Sequence, residues 1–316
     1  MSAVLIYGAR KSGSTLLQGL LDGTPGTVCY PYETKFKWLA STIHESERAL
    51  RETVLFSDTD PLKRAFESHY RTGSYSAEGE LARLMQRLDA DAYFARLREL
   101  LEQGPGGLAP LLAAEMEALA RSGAGVPGAT PVFKEVGGRS KYVLGLFSVL
   151  FPAGRIVVIA RDPLNVVSAI LRDRHKRNIR MSARYILRQS FDAHRHVQRI
   201  NDVFEQRKPN VLFLTYEQLT DERSATTMQS LMQRLGLGFS EINLVPTLLG
   251  QPNVVRTASR AEAQIFRREQ PWDQGLSLSE RLCVRAGAWL AQAYSRLKYR
   301  RYVAYSRFQQ AVEHGA

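Results

Sequence analysis

The sequence predicts an α/β protein with a P-loop-like parallel sheet of about five strands flanked by helices. Short apolar runs each precede a helical pattern, an alternation typical of parallel sheets whose strands are buried on both faces. The first of these runs leads through a glycine-containing loop directly into a helix. With 316 residues, 44% of them hydrophobic, the chain is long and apolar enough to bury a full core.

The predicted strands are short apolar segments spread along the chain. They cover residues 3–7, 27–30, 131–134, 155–160 and 210–214. After the last strand, helical patterns are expected near residues 221–235, 277–297 and 302–312. We expect one domain over residues 1–316, because no internal repeat and no low-complexity run interrupts the sequence.

A long helical tract separates the second predicted strand from the third. It holds two amphipathic segments, at residues 76–103 and 108–121, with the breaker sequence Gly104-Pro105-Gly106-Gly107 between them. A glycine-rich stretch, residues 122–129, then leads back to the sheet. We interpret residues 36–129 as a helical insertion over the active-site edge of the sheet rather than as a separate domain.

The loop after the first strand is a candidate anion site. Gly8 and Gly13 have the spacing of a nucleotide phosphate loop, and the helix that follows presents free backbone N–H groups and a positive dipole end. Ser14 stands where that motif has its lysine, and the basic residues Arg10 and Lys11 lie inside the loop. The pattern therefore indicates a 5′-phosphate site without the lysine that reaches a β- or γ-phosphate.

A second candidate anion site follows the fourth predicted strand. Arg161 ends this strand and Pro163 suits the first turn of the next helix, which places Arg161 at the edge where open α/β sheets bind ligands. Ser168 follows on that helix. The alternative is that Arg161 pairs with a nearby carboxylate and Ser168 packs against another helix. Two phosphate sites at two strand ends indicate a nucleotide phosphorylated at two positions.

Both segments resemble motifs of one enzyme family. Arg10-Lys11-Ser12-Gly13-Ser14-Thr15-Leu16 resembles the 5′-phosphosulfate loop of sulfotransferases that use 3′-phosphoadenosine 5′-phosphosulfate (PAPS). Arg161-Asp162-Pro163 with a following serine resembles their 3′-phosphate motif. The resemblance implies contacts to the nucleotide from Arg10, Lys11, Ser12, Gly13, Ser14, Thr15, Arg161 and Ser168.

The serine departs from the family pattern by one residue. The family serine usually stands eight residues after the arginine, whereas Ser168 stands seven after Arg161 and Ala169 fills the eighth place. One residue turns a helix by about 100°, which leaves open whether Ser168 holds the 3′-phosphate.

The resemblance extends to the tyrosylprotein sulfotransferases and their bacterial relatives. The matching segments are Leu21-Asp22-Gly23-Thr24-Pro25, Tyr32-Glu33-Thr34-Lys35, Phe133-Lys134-Glu135, Tyr216-Glu217-Gln218-Leu219 and Gly250-Gln251-Pro252. The resemblance further implies nucleotide contacts from Tyr216, Thr257 and Ser259. We expect no membrane anchor of the tyrosylprotein type, and therefore no peptide tyrosine as acceptor.

Sulfuryl transfer passes through a loose, in-line transition state. We expect it to need cationic side chains at the reacting oxygens and a base for the acceptor proton, and no metal. Lys11 is expected to meet the bridging oxygen of the leaving phosphate, and Lys134 the oxygens of the transferring group. Glu33, just after the second strand, is the candidate general base, with His44 and His69 as rivals.

Each of these roles has a structural alternative. Lys134 could form a salt bridge with Glu135 or Glu33. Glu33 could be a helix-cap or surface carboxylate, and Tyr216 could pack the last helix instead of touching the nucleotide.

Composition bears on the metals, the cellular compartment and the partners to be expected. Cys29 and Cys283 have neither disulfide-framework nor metal-ligand spacing, so we expect buried thiols in a reducing compartment and no metal. No stretch of 18 apolar residues and no signal peptide is visible, which predicts a cytoplasmic protein without a transmembrane segment. The lysines and arginines behind the net charge of +12 are dispersed, which argues against a dedicated nucleic-acid binder.

We therefore expect an enzyme that transfers a sulfuryl group from PAPS to a hydroxyl of a carbohydrate, phenol, lipid or specialised metabolite. The products would be a sulfate ester and 3′,5′-adenosine bisphosphate (PAP). One alternative is a P-loop nucleotide or small-molecule kinase, and another is a basic nucleic-acid or membrane-surface binding module. The sequence leaves a homodimer open. Residues 36–121 would build the acceptor pocket, and no motif in them identifies the acceptor.

Overall fold

A computed structural model describes residues 2–30, 128–137, 140–248, 251–252 and 271–315, together with the helical positions Ala95, Glu99 and Glu117. Its strands are β1 (Val4–Gly8), β2 (Thr27–Cys29), β3 (Thr130–Val136), β4 (Arg155–Ala160), β5 (Val211–Thr215), β6 (Thr247–Leu248) and β7 (Gln251–Pro252). Its helices are α1 (Ser14–Leu21), α2 (Ser140–Leu150), α3 (Pro163–Lys176), α4 (Ala183–Glu205), α5 (Tyr216–Thr220), α6 (Ser224–Leu235), α7 (Leu278–Tyr299) and α8 (Tyr305–Gly315), with a 3₁₀ turn at Glu241–Leu244.

The predicted parallel sheet is confirmed. Its five strands lie in the order β2-β3-β1-β4-β5, and β6 and β7 form a separate antiparallel pair. Strands β4 and β5 pair in parallel from Ile156 opposite Val211 to Ala160 opposite Thr215. All five residues of β1 are buried, as expected for the central strand of a sheet that helices flank.

Element boundaries differ slightly from the sequence prediction. Strand β3 is longer at both ends than residues 131–134. The helix expected near 221–235 is α6, which begins at Ser224, and the short helix α5 precedes it. Helix α4, which spans 23 residues, was not singled out by the sequence analysis. The proposed insertion at 36–129 lies almost wholly outside the described residues.

The chain forms two compact units, and the boundary between them passes through β1. The first comprises the described residues of Met1–Leu5, Thr15–Arg155 and Met228–Gln264. An aromatic cluster lies in its core, where the ring of Phe151 is 5.4 Å from Phe133 and 5.1 Å from Phe147. The side chain of Asn243 donates hydrogen bonds to the carbonyl of Leu20 and the hydroxyl of Thr24, which fixes the end of α1.

The second unit comprises the described residues of Ile6–Ser14, Ile156–Thr227 and Ile265–Ala316. Its core includes the buried residues Val166, Val167, Ile170, Leu171, Ile186, Ala193, Leu276 and Val284, which come from α3, α4, α7 and the segment before α7. Helices α4 and α7 approach closely at Gly287, where a Cβ atom would lie 2.5 Å from the carbonyl oxygen of Leu187. A larger residue at 287 would therefore push the two helices apart.

Candidate functional site

The loop between β1 and α1 is shaped by two residues with positive φ. Lys11 has φ 62° and Gly13 has φ 99°. Gly13 also faces the ring of Tyr216, with which a Cβ atom would collide. Lys11 holds a left-handed conformation that is uncommon for a residue with a side chain, and such strain is typical of ligand-binding segments. The sequence predicted the loop, but the dependence of Gly13 on Tyr216 could not be read from it.

Ser12 is the most suggestive residue of this loop. Its side chain is fully buried, and its hydroxyl has no hydrogen-bond partner among the residues that the structure describes. Leaving a buried hydroxyl unpaired costs about 1–3 kcal/mol, so such a group in a native protein calls for a ligand or a water molecule. The adjacent N-terminus of α1 favours an anion at this place.

Arg161 lies beside this loop, as the sequence analysis expected. Its Nη1 donates a 3.0 Å hydrogen bond to the carbonyl oxygen of Lys11. Its guanidinium also stacks on Tyr216, 4.1 Å from the ring centroid. The strand-end arginine, the loop backbone and the aromatic ring thus form one cluster within the second unit.

Ser168 is fully buried on α3 and is paired within the helix. Its hydroxyl accepts a 2.6 Å hydrogen bond from Nη2 of Arg172, four residues later. Sequence reasoning missed Arg172, although side chains four residues apart meet on a helix and the spacing could have revealed the pair. The structure therefore places Arg172 beside Ser168, in a region for which the family motif described above specifies only the serine.

The ammonium of Lys11 faces α3. Its Nζ lies 3.7 Å from Oδ2 of Asp173, which is also 3.6 Å from the guanidinium of Arg177. Burial lowers the pKa of Lys11 below its ordinary value; Asp173 opposes this change, and the positive charges of Arg10 and Arg177 add to it. Nothing in the local sequence of the loop points to Asp173, which the fold brings to Lys11 from a distant segment.

A half-buried polar network holds the start of α3 and the start of α5. Oδ1 of Asp162 caps α3 by accepting hydrogen bonds from the backbone N–H groups of Leu164 and Asn165. Glu217 accepts from the backbone N–H of Asp162 at 3.4 Å and from the hydroxyl of Tyr305 at 2.6 Å. Burial and the charge of Glu217 raise the pKa of Tyr305 far above its ordinary value, so its hydroxyl stays protonated and keeps donating. The network fixes the backbone on either side of Arg161 and Tyr216.

Lys134 belongs to the first unit, near the end of β3. It is almost fully buried, and its Nζ donates a 3.3 Å hydrogen bond to Oγ1 of Thr15, the second residue of α1. Burial is the main reason that the pKa of nearby Cys29 is well above its ordinary value, and the positive charge of Lys134 partly opposes that increase. Cys29 is thus an inert core thiol, while Lys134 presents its ammonium to the start of α1.

Several predicted site residues lie outside the described part of the chain. They are Glu33, Thr257 and Ser259, together with the rival bases His44 and His69. Arg10, at the tip of the loop, is exposed, whereas Ser14 is buried at the first position of α1.

Metal-ligand clusters and membrane-spanning helices can be assessed only for the residues that the structure describes. In that part of the chain, no group of three or more histidine, cysteine or acidic side chains is placed to hold a metal ion. No helix among the described segments is both long and apolar enough to cross a bilayer.

The fold and this cluster define an α/β protein with a glycine-containing loop between its central strand and first helix. The chain belongs to the sulfotransferase family, whose sequence pattern matches residues 3–241. A comparison with curated proteins finds no match. Transfer of a sulfuryl group is the activity that this family membership supports.

Two solved structures share the fold. The sulfotransferase domain from the olefin synthase of Synechococcus PCC 7002 is 17% identical, with a TM-score of 0.55, over 91% of this chain and 94% of that domain. The sulfotransferase domain from the curacin biosynthetic pathway is 17% identical, with a TM-score of 0.53, over 90% of this chain and 96% of that domain. At this level of identity the similarity concerns the fold.

Proposed function

We propose that the protein transfers a sulfuryl group from PAPS to a hydroxyl group of a carbohydrate, phenol, lipid or specialised metabolite. The observation that carries this proposal is the cluster of Arg161 and Ser12 around the loop. The cluster brings together a guanidinium, a helix N-terminus and a buried hydroxyl that has no hydrogen-bond partner among the described residues. Such a combination suits a ligand with several negative charges.

The loop residues Arg10, Lys11, Ser12, Gly13, Ser14 and Thr15 would bind the 5′-phosphosulfate. The chain here has no lysine at the position that reaches a γ-phosphate in the triphosphatase motif, since Ser14 stands there. That substitution favours a nucleotide with one phosphate at its 5′ end over a nucleoside triphosphate.

The 3′-phosphate would be held by Arg161, Ser168 and Arg172. The hydrogen bond between Arg172 and Ser168 places a second guanidinium at the serine, which offsets the one-residue departure from the family spacing. Charge-assisted hydrogen bonds from arginine to phosphate are the strong contacts of such a site. Tyr216, already stacked on Arg161, would contact the nucleotide with Thr257 and Ser259.

The reaction breaks the S–O bond to the 5′-phosphate and forms a bond between sulfur and the acceptor oxygen, leaving PAP. Lys11 would stabilise the charge that grows on the departing phosphate oxygen, and Lys134 the oxygens of the transferring group. Glu33 would accept the proton of the acceptor hydroxyl. The hydrogen bond from Lys134 to Thr15 supports its role by holding the ammonium at the start of α1.

Calorimetric titration of Arg161→Ala tests this assignment. PAP and adenosine 5′-monophosphate differ only in the 3′-phosphate. We expect the variant to lose about 1.5–3 kcal/mol of binding free energy for PAP and much less for the monophosphate, because a charge-assisted contact is removed. Equal losses for both nucleotides would make Arg161 a structural residue and place the 3′-phosphate elsewhere.

Arg174 provides a matched control. It also stacks on an aromatic ring, 4.3 Å from the centroid of Tyr185 rather than on Tyr216. Arg174→Ala should leave both affinities unchanged. A mass-spectrometric screen of PAPS with hydroxyl acceptors of each proposed class would then identify the sulfated product.

A further inference from the structure

The outward face of α7 is apolar, which is unusual for a helix on the surface of a protein. Besides Tyr299, its large exposed apolar side chains are Leu278, Leu282, Trp289, Leu290 and Leu297, with exposed fractions of 73%, 57%, 65%, 37% and 85%. At 3.6 residues per turn, these five positions fall within an arc of about 120°. We call them the outer stripe of α7.

The opposite side of α7 already provides the packing face. Val284, Gly287, Ala288, Ala291 and Ser295 are buried there. By the same helical geometry, their mean direction lies roughly 170° from that of the outer stripe. The apolar stripe is therefore additional to the core contacts of the helix and does not serve the packing of this unit.

Basic side chains accompany the stripe. Residues 278–301 contain six lysines or arginines and one acidic residue, Glu280. Glu280 is engaged by Ser277 and by His175, which lies 2.8 Å away. Arg281 and Arg301 have acidic partners. Arg285 and Arg296 are exposed; on the helical wheel Arg285 lies beside the stripe and Arg296 lies in line with Leu278.

A concave site adjoins the stripe. A cavity of about 440 Å³ is lined by Leu164, His194, Trp272, Arg285, Ala288, Trp289 and Gln292. Two indole rings and a guanidinium thus line one cavity, and one of these indoles, Trp289, belongs to the stripe. Indoles are enriched at the boundary between a bilayer and water.

We propose that the outer stripe of α7 docks on the surface of an anionic lipid bilayer. The helix would lie in the plane of the interface, with its leucines and Trp289 among the acyl chains and Arg285 and Arg296 against lipid phosphates. Interfacial helices combine these two features. A second copy of the chain fits less well, because apposing two such helices would bring basic side chains of like charge together.

Vesicle co-sedimentation tests the proposal, using phosphatidylcholine vesicles with and without phosphatidylglycerol. We expect binding that requires phosphatidylglycerol and decreases as salt is raised, since the Debye length shortens. The variant Leu282→Gln/Trp289→Gln/Leu297→Gln should lose at least about tenfold in partitioning. The control Val149→Gln/Ile179→Gln/Phe239→Gln removes three exposed apolar side chains elsewhere and should bind as the unaltered protein does.

Variants of the basic residues and a measurement of the oligomeric state complete the test of the proposal. Arg285→Gln/Arg296→Gln should weaken binding to the anionic vesicles severalfold, and Arg184→Gln/Lys208→Gln should not. Thermal unfolding and PAP binding of each variant report whether it is folded. Absence of binding to anionic vesicles would overturn the proposal. So would a dimer in sedimentation velocity that the stripe variant abolishes, because the stripe would then be an interface between copies.

Discussion

Lys11 combines backbone strain, partial burial and a single close carboxylate. Its backbone lies in the left-handed region. Its ammonium forms a partly exposed ion pair with Asp173. A partly exposed ion pair is worth about 0–1 kcal/mol, so it is easily exchanged for a stronger anion. In the proposed function, Asp173 would therefore compete weakly with the nucleotide for the ammonium of Lys11.

Asp173→Asn should raise the affinity for PAP a few-fold near neutral pH, because the competing carboxylate is removed. It should also lower the pKa of Lys11 further, since Asp173 is the influence that raises it. PAP binding requires the charged ammonium, so affinity would fall with rising pH, and would begin to fall at a lower pH in the variant. Calorimetry from neutral to alkaline pH measures both effects.

Asp192→Asn is the control for this change. Asp192 pairs with Arg188 on the same helix at 3.6 Å, on an exposed surface. Its variant should bind PAP normally at every pH. Weaker binding of PAP by Asp173→Asn near neutral pH would show that Asp173 supports the site rather than competing within it.

At Ser12 we expect a substitution to affect the free energy of unfolding and the affinity for PAP in different ways. In Ser12→Ala the unpaired buried hydroxyl disappears, so the unliganded protein should be as stable as before or more stable. PAP affinity should fall by about 0.5–1.5 kcal/mol, the net value of one hydrogen bond. Denaturant unfolding and calorimetry measure the two quantities.

Ser190→Ala should behave in the reverse way. The buried hydroxyl of Ser190 donates a 2.7 Å hydrogen bond to the carbonyl oxygen of Val284. Its removal should reduce the free energy of unfolding by about 1 kcal/mol and leave PAP affinity unchanged. If Ser12→Ala instead lost stability without losing affinity, Ser12 would be an ordinary core residue.

At the scale of elements, α3 carries the proposed 3′-phosphate site on successive turns. Asp162 caps it, Arg161 precedes it, and Ser168 and Arg172 lie on one of its faces. Because the same helix also presents Asp173 to Lys11, any shift of α3 would alter both phosphate contacts together.

Arg172→Gln tests whether this helix reads the 3′-phosphate. PAP binding should weaken by about 1.5–3 kcal/mol, whereas adenosine 5′-monophosphate binding should hardly change. Ser168→Ala should have a smaller effect in the same direction, since Arg172 would retain its charge. Arg188→Gln, on the exposed surface of α4, is the control. Unchanged PAP affinity in Arg172→Gln would confine the 3′-phosphate contacts to Arg161.

The sequence foretold those elements whose signals are local. The strand, loop and helix at residues 3–21 are continuous in the chain, and Pro163 marks the start of α3, so these elements could be predicted. Helix α4 was missed although its buried apolar positions, such as Ile186, Val197 and Ile200, recur at helical spacing and could have revealed it. The contacts of Tyr216 with Gly13 and of Asp173 with Lys11 arise from tertiary packing. Tertiary packing leaves no pattern along the sequence, so these contacts could not be predicted.

At the scale of the whole molecule, charge and fold agree with an anionic substrate. The net charge of +12 raises the local concentration of anions, and the carboxyl edge of a parallel sheet is where such ligands bind. The fold prediction succeeded because alternation of strands and helices determines a parallel sheet. The acceptor side could not be predicted, because a pocket for an unspecified hydroxyl compound has no fixed sequence pattern.

Thermal unfolding with nucleotides tests the central claim most directly. PAP should stabilise the protein, by about 2.7 kcal/mol at one hundred times its Kd, because it binds only the folded state. ATP with Mg²⁺ should stabilise it less, since Ser14 replaces the lysine that a triphosphate needs. Equal or greater stabilisation by ATP with Mg²⁺ would contradict the assignment of PAPS as sulfuryl donor and favour a kinase.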